Sequence, residues 1–221
     1  MQTKTLNYFL GVGIASCLPL VASANLVQDG TFPPPPSGYP SFTTIYSGST
    51  IGPTAAWTVT AGSVDVANGY WQAPPSGGQS LDMEGVSPGT ISQSIGGLVS
   101  GQQYLLTFEM SGNPDGAPST KTLAVSLGGG FAPEDFSYTL GLGNTENNMQ
   151  WATESELFTY TSGSGLLQFQ DISGAPGYFG AVLGDVSLTA VPESTTLAAG
   201  ALLLLPLGVS AVRIMRKSRV A

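Results

Sequence analysis

QYLLTFEMSG, residues 103–112, alternates apolar and polar side chains along its length. Successive side chains of an extended strand point to opposite sides, so Tyr104, Leu106, Phe108 and Met110 share one face. Leu105, Thr107 and Glu109 share the other. A helical period would scatter both sets. A strand this long with one oily face must bury it against a second layer.

The same alternation recurs outward from this segment. In SLDME (80–84), Leu81 and Met83 point one way and Asp82 and Glu84 the other. Near the end, Val182, Val186 and Leu188 alternate with Asp185, Ser187 and Thr189. SVDVA (63–67), YWQA (70–73), TISQSI (90–95), TLAVSL (122–127), ELFTY (156–160) and LLQFQDI (166–172) read as further strands. SPG, NPDG, GGG and APG supply turns, and no segment of the body has a helical period. About nine or ten short strands over residues 25–190 predict an all-β antiparallel sandwich of jelly-roll type. FPPPPSGYP (32–40) cannot join a central ladder, because proline lacks the donor; it reads as an extended surface loop.

Both ends lie outside this domain. Residues 1–24, MQTKTLNYFLGVGIASCLPLVASA, carry a basic start, an apolar run and an Ala-x-Ala site, the pattern of a cleaved secretory signal. Cys17, the single cysteine, would leave with it. At the other end, residues 194–212 form an uncharged, Leu- and Ala-rich run of 19 residues. At about 1.5 Å per residue it is just long enough for a hydrocarbon core of about 30 Å. Arg213, Arg216, Lys217 and Arg219 follow at once. Basic residues stay on the cytoplasmic side, which predicts an inner-membrane anchor with the body outside.

The exported part is strongly acidic. Its single base is Lys121; all 14 acids lie between Asp29 and Glu193, leaving a net charge of −13. Such a surface repels phosphate backbones and excludes nucleic acid as a partner. The body has no Cys and no His, which excludes disulfides, thiol or His-based catalysis and His- or Cys-held zinc.

The tail, 191–221, places Val191, Pro192, Glu193 and Ser194 before the apolar run and the basic end. This order resembles the PEP-CTERM sorting signal of exopolysaccharide-producing Gram-negative bacteria, with Ser194 where the family has a second proline. The resemblance implies an exosortase-like processing enzyme as partner, and release or retention of the body at the cell surface or in the extracellular matrix. The body itself, through NLVQDGTF (25–32), WTVTAGSVDV (57–66), YWQA, SLDMEG (80–85), PGTISQSI (88–95), YLLTFEMSGNP (104–114) and FGAVLGDVSL (179–188), resembles the choice-of-anchor C family of bacterial surface proteins. In the last block Gly184 holds the usual Asp place and Asp185 lies one position later. That resemblance implies a galactose-binding-like sandwich in an exported wall or matrix protein.

Carboxylates are the one reactive type the body offers. Asp82 and Glu84 are about 7 Å apart along one strand face. That is compatible with paired-carboxylate glycan hydrolysis; two solvated acids on an outward face is the plainer expectation. Calcium takes carboxylate and carbonyl oxygens; through the family resemblance a structural calcium would draw on Asp29, Asp65, Glu84 and Asp185. Glycan binding needs aromatic faces and a few orienting polar groups. Tyr70, Trp71 and Gln72 form such a set, with Trp57 and Trp151 as further aromatics. Asn113 and Asp115 read as turn formers. The sequence thus predicts a non-catalytic surface protein associated with extracellular polysaccharide.

Overall fold

The computed structural model describes residues 23–34, 42–174 and 177–192. The expected signal and tail therefore lie outside the described residues, apart from Ser23, Ala24, Val191 and Pro192. Twelve strands and no helix occur among the described residues: β1 (Phe42–Tyr46), β2 (Thr50–Ile51), β3 (Trp57–Ala61), β4 (Ser63–Ala67), β5 (Ser80–Asp82), β6 (Thr90–Ser94), β7 (Gln103–Gly112), β8 (Thr120–Leu127), β9 (Phe131–Thr139), β10 (Ala152–Thr159), β11 (Leu166–Asp171) and β12 (Ala181–Ala190). One sheet runs β1-β4-β5-β12-β7-β10 and the other β2-β3-β6-β11-β8-β9. Every neighbouring pair is antiparallel. Segment 23–30 runs against β12, with Asn25 bridging Thr189.

The opening stretch, now β7, behaves as its alternation requires. Tyr104, Leu106, Phe108 and Met110 are buried in the core between the sheets, and Leu105, Thr107 and Glu109 are half-buried outside it. Phe108 meets Phe136 and Phe169 edge-on at centroid distances of 5.1 and 5.2 Å. Trp57 packs on Phe169 and Phe32. Burial of such a ring contributes ~2–3 kcal/mol. The Phe108 contacts join β7 to β9 and β11 of the facing sheet, and Trp57 ties β3 to β11 within that second sheet.

Four expectations are corrected. YWQA is not a strand: Gly69 turns with a φ of 75°, and Gln72 spends its amide on Glu146 O and its carbonyl on the Trp151 indole. No ladder partner is left for it. Phe32, placed on the surface by its proline-rich context, is fully buried in the core. The β12 alternation breaks at a bulge between Gly184 and Ser187, where Asp185 takes a φ of 49°. An extra residue flips the faces, so Val186 and Leu188 enter the main core while Val182 points to the opposite side of its sheet. Strands β1, β2, β3 and β9 go beyond the segments picked out by alternation. β9 carries Pro133 and acids that an edge strand tolerates, and it is an edge strand.

Candidate functional site

The first sheet has part of its outer face covered. Across it, Thr44 pairs with Asp65, Asp65 with Asp82, Asp82 with Val182, and Val182 with Ser111. Paired residues of antiparallel strands point the same way, so this row faces away from the main core. Val182 packs there with Ala67, Trp71 and Met149 in a second small cluster, flanked by half-buried Trp151. The cover is the loop between β4 and β5, clasped by the loop before β10. Gln72 is the clasp: its amide donates to Glu146 O at 2.7 Å and its Oε1 accepts from the Met149 amide at 2.8 Å. Ser76 donates from its amide to Asp185 Oδ2 at 2.9 Å and from its hydroxyl to Oδ1. The Gln79 amide donates to Thr31 O at 3.0 Å.

Between this loop and residues Thr31, Pro33 and Pro34 lies an open groove of about 550 Å³, walled further by Asn68, Trp71 and Gln79. Trp71 is 4% exposed and Gln79 8%. Trp71 Nε1 and Gln79 Oε1 are buried without a hydrogen-bond partner. Such a donor and acceptor each cost ~1–3 kcal/mol when left unmade. Beside the groove Tyr70 (40% exposed) and Phe42 (41%) stand edge-on with centroids 5.5 Å apart. Tyr70 is also edge-on to Trp71 at 5.6 Å. The Tyr70 hydroxyl lies 3.4 Å from Asp115 Oδ2 and 3.3 Å from Glu146 Oε1. The negative field of Asp115, then burial and Glu146, raises the phenol's pKa. Flat aromatic surface next to unmade hydrogen-bonding groups is what a sugar ring and its hydroxyls can satisfy.

Of the residues expected to bind glycan, Tyr70 and Trp71 come together at this groove. Gln72 does not, because its amide, carbonyl and side-chain oxygen anchor the loop. Trp57 is a core residue and Trp151 flanks the second cluster. Gln79, Asn68 and the two prolines escape sequence reading as groove residues, since only folding brings the β4–β5 loop against segment 31–34; Phe42 joins the spot through its ring contact with Tyr70. A second hollow of about 230 Å³ on the other sheet is lined by Gln28, Thr58, Ser92 and Ser94 among others and by no aromatic ring.

The carboxylates behave differently from expectation. Asp82 and Glu84 are fully buried, not solvated. Asp82 accepts from the Glu84 and Gly180 amides at 2.9 and 3.0 Å and from Asn113 Nδ2 at 2.7 Å. Burial pushes its pKa well up, against the pull of the Glu84 amide and Asn113. Neither Glu84 oxygen accepts a well-formed hydrogen bond, although the Gly177 amide lies near. Burial and then Asp171 raise its pKa, opposed by the Gly177 amide and Lys121. Asp171 accepts from the Ser173 and Ala181 amides. The buried Lys121 ammonium donates to Gly116 O at 2.9 Å and to Phe179 O. Burial lowers its pKa, resisted by Asp82, Asp171 and Glu84. Gly180 sits among these acids; a Cβ there would fall 2.7 Å from Asp82 Oδ1 and 2.6 Å from Glu84 Cβ. Asn113 also receives the Asp115 amide on its Oδ1, so it shapes the turn as expected and anchors Asp82 as well.

The four residues expected to hold calcium do not fit one ion. Asp65 and Glu84 each lie beside Asp82, Asp65 as its cross-strand pair and Glu84 bonded to it through its amide. Asp29 instead binds the Thr54 amide and hydroxyl, and Asp185 binds Ser76. No group of three or more Cys, His, Asp or Glu side chains among the described residues converges to hold a metal ion.

The family described as a protein of unknown function, DUF642, matches residues 25–189. The chain belongs to the DUF642 family. The match covers the whole sandwich and the groove. The chain is also 29% identical over 167 residues to Halomucin of Haloquadratum walsbyi, spanning 74% of this chain and 2% of that protein's length. Among solved structures, the CBM22-1 xylan-binding domain of Paenibacillus barcinonensis Xyn10C is 17% identical, with 69% of this chain and 95% of that one covered at a TM-score of 0.42. TmCBM61 in complex with β-1,4-galactotriose is 18% identical, with 76% and 100% covered at a TM-score of 0.42.

Proposed function

We propose that this DUF642 protein is an exported, non-catalytic polysaccharide-binding protein of the cell surface or matrix, and that the groove beside Trp71 is its glycan site. The carrying observation is the pair of unmade groups, Trp71 Nε1 and Gln79 Oε1, in the wall of an open groove of about 550 Å³ with Tyr70 and Phe42 beside it. A sugar supplies both an acceptor and a donor, and its apolar ring face suits the aromatic surface. The non-catalytic reading is supported by the lack of His and Cys in the body and by the enclosure of Asp82 and Glu84, which a polymer does not reach.

The delivery route rests on the tail. Val191-Pro192-Glu193-Ser194, an apolar run and a basic end support sorting of PEP-CTERM type by an exosortase-like enzyme, after a stage at the inner membrane. The order of sequence blocks in the body supports membership of the choice-of-anchor C group. Mass spectrometry of the exported form tests this: loss of the tail is expected, and a peptide extending to Arg213 would overturn it.

Binding is tested with the full-length chain on an array of extracellular polysaccharides, alongside Tyr70→Ala, an exposed-site variant. Retention of at least one glycan, weakened in the variant, is expected. A blank array would leave a purely structural surface protein, and release of reducing ends would reveal a hydrolase.

A further inference from the structure

Three segments far apart in the chain bring charge and aromatic surface to one spot. Tyr70 comes from the β4–β5 loop, Asp115 from the turn after β7 and Glu146 from the loop before β10. A phenol has one proton, so it donates to one of its two carboxylate neighbours and leaves the other without that bond. Asp115 is exposed, Glu146 is half-buried, and the rings of Tyr70 and Phe42 are two-fifths exposed. Among the described residues no side chain answers the charge there: Lys121 is the only Lys or Arg among them, and it is fully buried elsewhere, on Gly116 and Phe179 carbonyls. The spot adjoins the groove, since Gly69 and Trp71, on either side of Tyr70, both line it. Independently, Trp71 and Gln79, whose Nε1 and Oε1 are buried without a partner, both line the same groove.

We infer that the groove selects polysaccharides bearing free amino groups, with an ammonium held between Asp115 and Glu146 against the rings of Tyr70 and Phe42. This rests on the glycan-binding reading and narrows it to a class. An ammonium is drawn to an aromatic face and to carboxylates together. A uronate-rich chain meets only repulsion on a body with one buried base. Hydroxyls and ring faces of the neighbouring sugars then occupy the groove.

The test compares three probes on the full-length chain by calorimetry, in mildly acidic buffer: a glucosamine hexamer, its fully N-acetylated counterpart and a lysine hexamer. Acetylation removes the charge and leaves the backbone. About ten-fold tighter binding of the amine form over the acetylated one is expected, which is about 1.4 kcal/mol. That preference is expected to disappear in Asp115→Asn/Glu146→Gln. It is expected to survive in Glu134→Gln/Asp135→Asn, which removes equal charge from edge strand β9. The preference is also expected to fade as rising pH deprotonates the sugar amine.

Equal binding of both sugar hexamers would overturn the inference and leave glycan binding standing. If neither sugar bound while the array retained other glycans, the amino class alone would fall; a blank array as well would remove both readings. Lysine hexamer binding as tight as the amino sugar, or loss of preference in the β9 variant, would reduce the effect to bulk charge and overturn the site.

Discussion

The two outer faces of the sandwich follow different rules. On the β2–β9 sheet the outer face over β8 and β9 is open and hydroxyl-rich: Thr120 meets Thr139 at 3.1 Å and Thr122 meets Ser137 at 3.0 Å across neighbouring strands. Strands β8 and β11 there alternate simply, and their outward Thr, Ser and Gln side chains are half-buried or exposed. On the β1–β10 sheet the outward row Asp65, Asp82, Val182 and Ser111 is roofed by loops and buried. The same residue parity that means solvent on one sheet means a second interior on the other. That second interior carries everything of functional interest: the clasped loop, the groove wall and the buried acids.

The sharpest way to break this contrast is Asp82→Ala. It strips the acceptor from two amides and Asn113 and removes one of the acids facing Lys121, at an expected cost of ~3–5 kcal/mol in urea unfolding. A loss under 1 kcal/mol, within the range of ordinary surface changes, would mean that the roofed face is effectively wet. Next in size, Trp71→Ala opens the second cluster and removes a groove wall, with ~3 kcal/mol expected from the cavity. Because Trp71 lies outside the main core, near-UV circular dichroism should keep the signal of Trp57 while stability falls.

A pH titration sharpens the same point without mutation. Asp65 and Asp82 have pKa values raised from 3.8, and Glu84 from 4.5, with burial the leading cause in each. Raised acids bind more protons folded than unfolded, so their contribution is complete below those ordinary values and is lost as pH rises through the folded ones. Lys121, lowered from 10.5, contributes fully above that value and loses its contribution as pH falls through its folded one. Cooling from the melt at several pH values should therefore place the midpoint higher in mild acid than at neutral pH, and Glu84→Gln should flatten the rise. Smallest of all, Thr122→Ala on the open face removes one hydroxyl pair and should cost only ~0.2–0.5 kcal/mol.

Sequence by itself determined the fold class and the heart of the core. Alternation in 103–112 fixed which side of β7 is oily, because the two-residue period of a strand is local geometry and needs no partner to be read. It also determined the charge: one base, no His and no Cys in the body hold whatever the chain folds into. Tyr70 and Trp71 could be picked out as a binding pair from residue type. Only the tertiary structure decided that Gln72 is a clasp, that Phe32 is core, and that Val182 leaves its expected face through a bulge. The same holds for Asp82 and Glu84. Alternation says which way a side chain points, but what it meets there depends on loops arriving from 77 residues away, as from Gln72 to Met149. Long-range closure of that kind leaves no periodic mark in the chain.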